Sequence, residues 1–214
     1  MKKLSLVISV YNEEAVLEKF YNAFCNIEQD LKYGGENELI FVNDGSTDAS
    51  MNILEVIAQQ NKNVRVISFS RNFGHEAAMI AGIDHAAGDV IICMDADLQH
   101  PLECIAPIMA KFEEGYEVIS MVRTSNKSAG AIKNFTSRAF YRVINALSDQ
   151  VKLEENASDF FAISSRVADV LRTNYREKTR FLRGYVQSVG FRKTTLEYTA
   201  AERAGGASHH TLKN

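Results

Sequence analysis

The sequence contains no G-x-x-x-x-G-K-[ST] tract, so it is not a P-loop nucleotide enzyme. Its first strand-like run ends in Tyr11-Asn12-Glu13-Glu14 rather than G-x-G-x-x-G, which removes the dinucleotide fingerprint as well. The three cysteines, Cys25, Cys93 and Cys104, are odd in number and widely spaced, which argues against a disulfide framework or a zinc site. No run approaches the roughly 20 apolar residues of a membrane span. Met1-Lys2-Lys3 leads straight into LSLVISV, too short for a secretory h-region. The chain is therefore expected to be soluble and cytoplasmic, and its three N-x-[ST] sequons, at Asn126, Asn134 and Asn156, carry no weight. No internal repeat or low-complexity tract is present.

What is present fits one large domain with an appendage. Apolar residues make up 46% of the 214 positions and charged residues 24%, the balance of a soluble globular enzyme. A chain of this size buries roughly 70% of its unfolded surface and needs no disulfide or metal to fold. The net charge is −3, but it is unevenly spread: residues 1–120 carry −11 and residues 121–214 carry +8. A carboxylate-rich first half is suited to a metal ion, and a basic second half to phosphate or an anionic membrane. Charges that merely segregate on a solvated surface would give the same count.

Short β-branched runs at Leu4–Val10, Leu39–Val42, Val64–Phe69, Val90–Met94 and Val118–Val122 read as buried strands. Between the first two, Leu17, Phe20, Phe24, Ile27 and Leu31 recur on one helical face, stopped by Gly34-Gly35. A second helix is expected over Asp48–Gln60, capped by Ser46 or Thr47, and a third over Glu76–Ala87. The βαβ order predicts an α/β fold, a mainly parallel sheet with helices on both faces. Beyond Val122 the pattern loosens. Residues 123–134 read as a loop and Ser137–Leu147 as an amphipathic helix carrying Arg138 and Arg142; its Phe140/Ile144 face is either core or interfacial. Residues 166–176 read as a further helix, and 201–214 as a basic, flexible tail.

Chemistry is signalled at Asp95-Ala96-Asp97. The pair directly follows the strand VIICM, at a carboxyl end, where open α/β sheets bind ligands. Two carboxylates one residue apart can share a hard divalent cation whose other oxygens come from a diphosphate. A bare D-x-D equally well caps a helix. Here, however, two other strands also finish in polar clusters, Tyr11-Asn12-Glu13 and Asn43-Asp44-Gly45-Ser46-Thr47-Asp48. Asp44, off a strand tip, could accept the imino N–H of a uracil or guanine, while Asp48 has a plain helix-capping alternative.

VISVYNEE (7–14), FVNDGSTDAS (41–50), SRNFGHEAAMIAG (70–82), MDADLQHP (94–101), SDFFAISSRV (158–167), RFLRGY (180–185) and RAGGASHH (203–210) together resemble the family 2 inverting glycosyltransferases of GT-A fold. Within that family the chain is most similar to the polyprenyl-phosphate glycosyltransferases, which include bactoprenol glucosyltransferases and dolichol-phosphate mannosyltransferase. The seven motifs are co-linear and span nearly the whole chain.

The resemblance implies a nucleotide site made of Tyr11, Glu13, Asp44, Asp95 and Ala96, with Arg71 and Asn72 at the ribose or phosphate end. It implies Mg²⁺ or Mn²⁺ held by Asp95, Asp97 and Gln99. It places an acceptor phosphate against Arg123, Lys133 and Ser137, and Arg180, Arg183 and Arg203 along the diphosphate or acceptor side. It divides the domain into a nucleotide-sugar half (1–122) and an acceptor half (123–200). Asp159 matches the family's candidate base and Asp97 is the other candidate; a helix N-cap is the alternative for Asp159. His209 and His210 fit the closing motif or a frayed terminus, His100 shapes a turn before Pro101, and His75 and His85 read as surface or helix residues.

Three positions depart from the family pattern: Ser9 replaces a common proline, Phe161 a common arginine, and Ser188 a frequent tryptophan. Relatives that glycosylate polyprenyl phosphate continue into transmembrane helices, so the chain is expected to be either part of a longer protein or a soluble variant. The expected reaction is transfer of a hexose from a nucleotide-diphospho-sugar, UDP before GDP, to polyprenyl phosphate at the inner face of the membrane. A transferase acting on a saccharide hydroxyl and a non-catalytic nucleotide-sugar-binding module are the alternatives. No nucleic-acid partner is expected, and a homo-oligomer remains open.

Overall fold

The computed structural model describes residues 2–30, 37–124, 157–177 and 181–201. The elements run β1 (Leu4–Val10), α1 (Leu17–Asp30), β2 (Glu38–Asn43), α2 (Ser50–Gln60), β3 (Val64–Ser68), α3 (His75–His85), β4 (Val90–Asp95), a 3₁₀ turn (Leu102–Cys104), α4 (Ile105–Glu113), β5 (Val118–Arg123), β6 (Ala157–Ser164), α5 (Ser165–Asn174), α6 (Leu182–Ser188) and β7 (Lys193–Tyr198). The strands form one sheet in the order β3-β2-β1-β4-β6-β5-β7. Every neighbouring pair is parallel except β4–β6 and β6–β5, so β6 alone runs against the rest.

Strand alternation sorts the apolar residues onto two faces. Leu4, Leu6, Ile8, Phe41, Ile92 and Met94 pack against α1, α2 and α4. Val7, Ile40, Val42, Ile91, Cys93, Phe161 and Ile163 pack against α3, α5 and α6. Continuous apolar runs follow from burial on both faces. At Gly82 a Cβ would stand 2.1 Å from Val7 Cγ1. That glycine lets α3 settle directly on β1, which brings the α3 N-terminus up to the ends of β1 and β4.

Several expectations need correcting. β3 is not buried: it is the sheet edge, with only Val64 of its five residues buried. α2 begins at Ser50 and is capped by neither Ser46 nor Thr47; Ser50 N–H donates to Asp48 Oδ1 at 2.9 Å, so Asp48 does the local capping. α3 runs His75–His85, one residue earlier at its start than the pattern suggested. Asp159 is not a helix cap but lies in β6. α4, α6, β6 and β7 were not foreseen. The expected loop at 123–134 lies outside the described residues apart from Arg123, which ends β5, and Thr124. The helix expected at 137–147 and the tail beyond Ala201 also lie outside them, and so do Lys133, Ser137, Arg180, Arg203, His209 and His210. Both the 1–122 and 123–200 stretches contribute strands to the one sheet. Among the described residues no helix is long and apolar enough to cross a membrane.

Candidate active site

Topology collects the site. β1, β2, β3, β4, β5 and β7 all point their carboxyl ends to one sheet edge, and the reversed β6 brings its amino end there. Tyr11, Asp44, Asp95, Arg123 and Asp159, scattered over 149 positions of sequence, therefore meet along a single rim.

The first part of the rim is built from loops tied to one another. Asn12 N–H donates to Ser46 Oγ, and Thr47 N–H returns a bond to Asn12 Oδ1 at 2.8 Å. Glu13 N–H donates to Ser50 Oγ. Ala49 N–H donates to Glu14 Oε2 at 2.7 Å, while Glu14 N–H donates to Asp48 Oδ2. These reciprocal bonds fix the β1 exit against the β2 exit. Asn12 and Leu98 are the two non-glycine residues with positive φ among those described, at 55° and 61°. They sit beside Tyr11 and immediately after Asp97, and strained backbone of this kind persists where surrounding bonds over-determine it.

Asp44 does not point off its strand tip. It is 2% exposed, and its carboxylate accepts from the N–H groups of Phe73 at 2.7 Å and Gly74 at 3.0 Å. It thereby anchors the loop that carries Arg71 and Asn72. Gly45 makes that anchoring feasible: its φ is +68°, and a Cβ would lie 2.3 Å from the Arg71 carbonyl carbon. On the loop's outer surface Arg71 stacks its guanidinium 3.9 Å from the centre of the Phe73 ring, and Phe73 is half exposed. Such a platform offers a cation and an aromatic face together. Ala96, between the two carboxylates, is buried in the core.

Around the D-x-D turn, Asp97 Oδ1 accepts from Gln99 N–H at 3.0 Å, and the Gln99 carbonyl accepts from Ala201 N–H, so the chain after β7 lies over the turn. Asp95 is held from two sides. Its N–H donates to His100 Nδ1 at 3.1 Å, and its Oδ1 lies 3.4 Å from His75 Nδ1. His100 stacks on Phe160 with ring centres 4.9 Å apart. Burial pushes the His100 pKa down against the pull of Asp95, Asp97 and Asp159, which keeps the ring neutral and able to accept. Its role is thus more than shaping the turn before Pro101.

Asp159, at the start of β6, accepts on Oδ1 from Arg183 Nε at 3.1 Å and Nη2 at 2.7 Å. Glu76 lies close by. Burial pushes its carboxyl up and the Asp159 charge adds to that, against a bond from Leu182 N–H and the charges of His75 and Arg183. Arg123 stands exposed at the end of β5, opposite Tyr198, whose hydroxyl is pushed up by burial. The structure thus brings together Tyr11, Glu13, Asp44, Arg71, Asn72, Asp95, Ala96, Asp97, Gln99, Arg123, Asp159 and Arg183 at one edge. Phe161, standing where arginine is common, is a core residue, and Ser188 ends α6 with its hydroxyl on the Tyr185 carbonyl.

Sequence reasoning missed three participants: Ser9, His75 and Glu76. Ser9 takes part through its Oγ, which lies 2.9 Å from His75 Nδ1. The signal for His75 and Glu76 was their place in the stretch following β3, one more strand end on the same rim.

Among the described residues no group of three or more His, Cys, Asp or Glu side chains is gathered as a self-sufficient metal cage. Two carboxylates flanking one turn, one of them about a third exposed, instead match a hard cation that keeps oxygens from a substrate diphosphate. The donor set present therefore fits Mg²⁺ or Mn²⁺.

The family model described as glycosyl transferase family 2 matches residues 5–172. The chain belongs to that family. This family 2 glycosyltransferase is 40% identical over 210 residues to an uncharacterised glycosyltransferase of Bacillus subtilis (strain 168), a match covering 98% of the chain and 64% of the relative. It is 37% identical over 206 residues to the bactoprenol glucosyl transferase of Shigella phage SfV, covering 96% of the chain and 66% of the relative. The chain thus spans just under two thirds of the length of these relatives. Among solved structures it superposes on glucosyl-3-phosphoglycerate synthase from Mycobacterium tuberculosis in complex with Mn²⁺, UDP-glucose and glycerol 3-phosphate. That match has a TM-score of 0.56 and 21% identity, covering 78% of this chain and 58% of that one. The shared architecture is the GT-A fold.

Proposed function

We propose that this glycosyltransferase moves a hexose from a nucleotide-diphospho-sugar, UDP-linked, to polyprenyl phosphate with inversion at the anomeric carbon. The observation that carries the reading is the single rim that gathers the carboxylates at the ends of β2 and β4 together with the guanidinium groups at the end of β5 and the start of α6. The naming of a 37% identical relative as a bactoprenol glucosyl transferase, and of a fold neighbour as a UDP-glucose and Mn²⁺ complex, supports the same choice of donor and acceptor.

In this reading Tyr11, Glu13 and the Arg71–Asn72 loop hold the nucleoside and its phosphates. Asp44 acts chiefly by fixing that loop, with its remaining lone pairs the candidate for the base imino N–H. Asp95, Asp97 and Gln99 hold the divalent cation, which when bound neutralises charge on the departing diphosphate. Arg123 and Arg183 orient the acceptor phosphate, together with Lys133, Ser137, Arg180 and Arg203. A phosphate monoester has a second pKa near ~6 and is already an anionic nucleophile at neutral pH, so it needs positioning more than a base. Asp159, with Oδ1 spent on Arg183, serves best by aiming that guanidinium. The basic second half would then face an anionic membrane surface, where each cation near the surface is worth about 1 kcal/mol.

The test is nucleotide release with Mn²⁺ or Mg²⁺ from UDP-glucose and from GDP-mannose, with and without a short polyprenyl phosphate, for wild type and Asp97→Ala. Lipid-stimulated release of UDP, lost in the variant by about 10³-fold as expected for removing a group that stabilises developing charge, bears the reading out. Release indifferent to the lipid transfers the acceptor role to a saccharide hydroxyl, with Asp159→Asn then the decisive variant. Metal-dependent binding without any turnover would leave either a nucleotide-sugar-binding module or a catalytic domain that needs a membrane segment to act.

A further inference from the structure

His75 is the first residue of α3, delivered to the rim by the close seating of that helix on β1 at Gly82. Its Nδ1 lies 2.9 Å from Ser9 Oγ and 3.4 Å from Asp95 Oδ1, and Ser9 is the residue directly opposite Asp95 in the β1–β4 register. Its Nε2 is buried and has no hydrogen-bond partner among the described residues.

These facts select a tautomer. Were the proton on Nε2, a buried N–H would go unpaired while a bare Nδ1 lone pair faced the Asp95 carboxylate, a double cost. With the proton on Nδ1, the N–H bonds Ser9 Oγ and leans towards Asp95 Oδ1, leaving only an acceptor lone pair unmet; under-satisfied acceptors are tolerated better than orphaned donors. The 3.4 Å separation is too long for a strong hydrogen bond, yet a proton at that range biases which oxygen of Asp95 turns inward. His100 meanwhile pins the Asp95 backbone. His100 Nδ1 also lies 3.9 Å from Asp95 Oδ2, beyond hydrogen-bond range, so His75 is the nearer of the two histidines to the carboxylate.

We propose that His75, braced by Ser9, is a positioning residue that orients the Asp95 carboxylate for the divalent cation. This rests on the reading above that Asp95 takes that cation. Nothing in the D-x-D pattern requires a histidine at this place, and Ser9 supplies a hydroxyl where the resembled family commonly has proline, which has none. Partners that orient a metal-binding group are typically worth 10–100-fold in metal affinity.

The experiment measures Mn²⁺ binding at saturating UDP by titration calorimetry, together with unfolding temperature in the absence of metal and nucleotide. The proteins are wild type, Ser9→Ala, His75→Ala, His75→Asn and Asp95→Asn. His75→Ala is expected to weaken Mn²⁺ binding about 10-fold while metal-free unfolding stays at the wild-type temperature. His75→Asn places an amide N–H near the Nδ1 position and is expected to recover most of that loss; Ser9→Ala should fall between wild type and His75→Ala. Wild-type Mn²⁺ binding in His75→Ala, with binding lost in Asp95→Asn, overturns the inference alone. Equal weakening in His75→Asn and His75→Ala also overturns it, since the donor would then not matter. Unchanged binding in Asp95→Asn removes the underlying cation-site reading itself, and this inference with it.

Discussion

The two ends of the rim are built by opposite means. On the β1–β2–β4 side, acidic side chains accept from backbone N–H groups of neighbouring loops: Asp44 holds Phe73 and Gly74, Asp48 holds Glu14 and Ser50, Asp97 holds Gln99. On the β5–β6–β7 side, charges meet charges near solvent, as in Asp159–Arg183 with side chains 37% and 29% exposed. The first construction fixes loops rigidly; the second leaves cations able to change partners. A nucleotide needs a preformed slot, whereas a phosphate arriving from elsewhere needs cations it can capture.

The largest expected effect comes from breaking the buried side. Asp44→Ala leaves two amide donors without their charged acceptor, which should cost about 3 kcal/mol. Hydrogen exchange would show it directly: the Phe73 and Gly74 amides should lose protection while the β1 and β4 amides keep theirs up to the new global stability. The contrasting change is Arg183→Ala. It should raise the KM for a polyprenyl phosphate about 10-fold, equivalent to about 1.4 kcal/mol, and leave the KM for the donor within twofold. A rise in both would mean that the two sides are not separate.

Acid sharpens the contrast further. Glu38 sits at the far end of β2, where burial alone would raise its pKa. Bonds from Ser5 Oγ and Ala87 N–H, with the charges of Lys3 and Arg65, outweigh that and hold it below its ordinary 4.5. A carboxyl with a lowered folded pKa contributes stability that is present above its unfolded value and is lost as pH falls through the folded one. Denaturant midpoints should therefore decline as pH drops below about 4.5, and Glu38→Gln should flatten that decline while lowering stability near neutrality. The smallest effect is expected for the exposed Asp84–Arg176 pair, 3.0 Å apart but with Arg176 half exposed. Arg176→Ala should change stability by less than about 1 kcal/mol, and by nothing measurable at high salt.

Much of this was open to reading along the chain. β1, β2 and β4 are buried on both faces and so appear as mainly apolar runs, interrupted in β1 by Ser5 and Ser9, and α1 shows its core face as Leu17, Phe20 and Phe24. The D-x-D pair is local in sequence and directly follows a strand. β6 and β7 escaped for a physical reason. β7 is an edge strand, KTTLEY, in which only Tyr198 is buried, and β6 mixes Ser158 and Asp159 with its apolar residues. β7 thus carries no apolar run, and the Phe160–Ile163 run of β6 follows Ser158-Asp159, which reads equally well as a helix cap.

The sequence by itself determined the layered α/β architecture, because a strand covered on both faces and a helix covered on one must carry those periods. It also determined which strand ends carry carboxylates. Only the tertiary structure decided what those groups face. Antiparallel insertion of β6 put Asp159 on the same rim as Asp95. A glycine contact between α3 and β1 brought His75 to Asp95, and the 69–74 loop turned Asp44 inward. The contacts that decide these, Asp44 with Phe73, Cys93 with Phe161 and Val7 with Gly82, join residues 29, 68 and 75 positions apart, and a hydrogen bond or a close approach at that separation leaves no period in the chain from which it could be read.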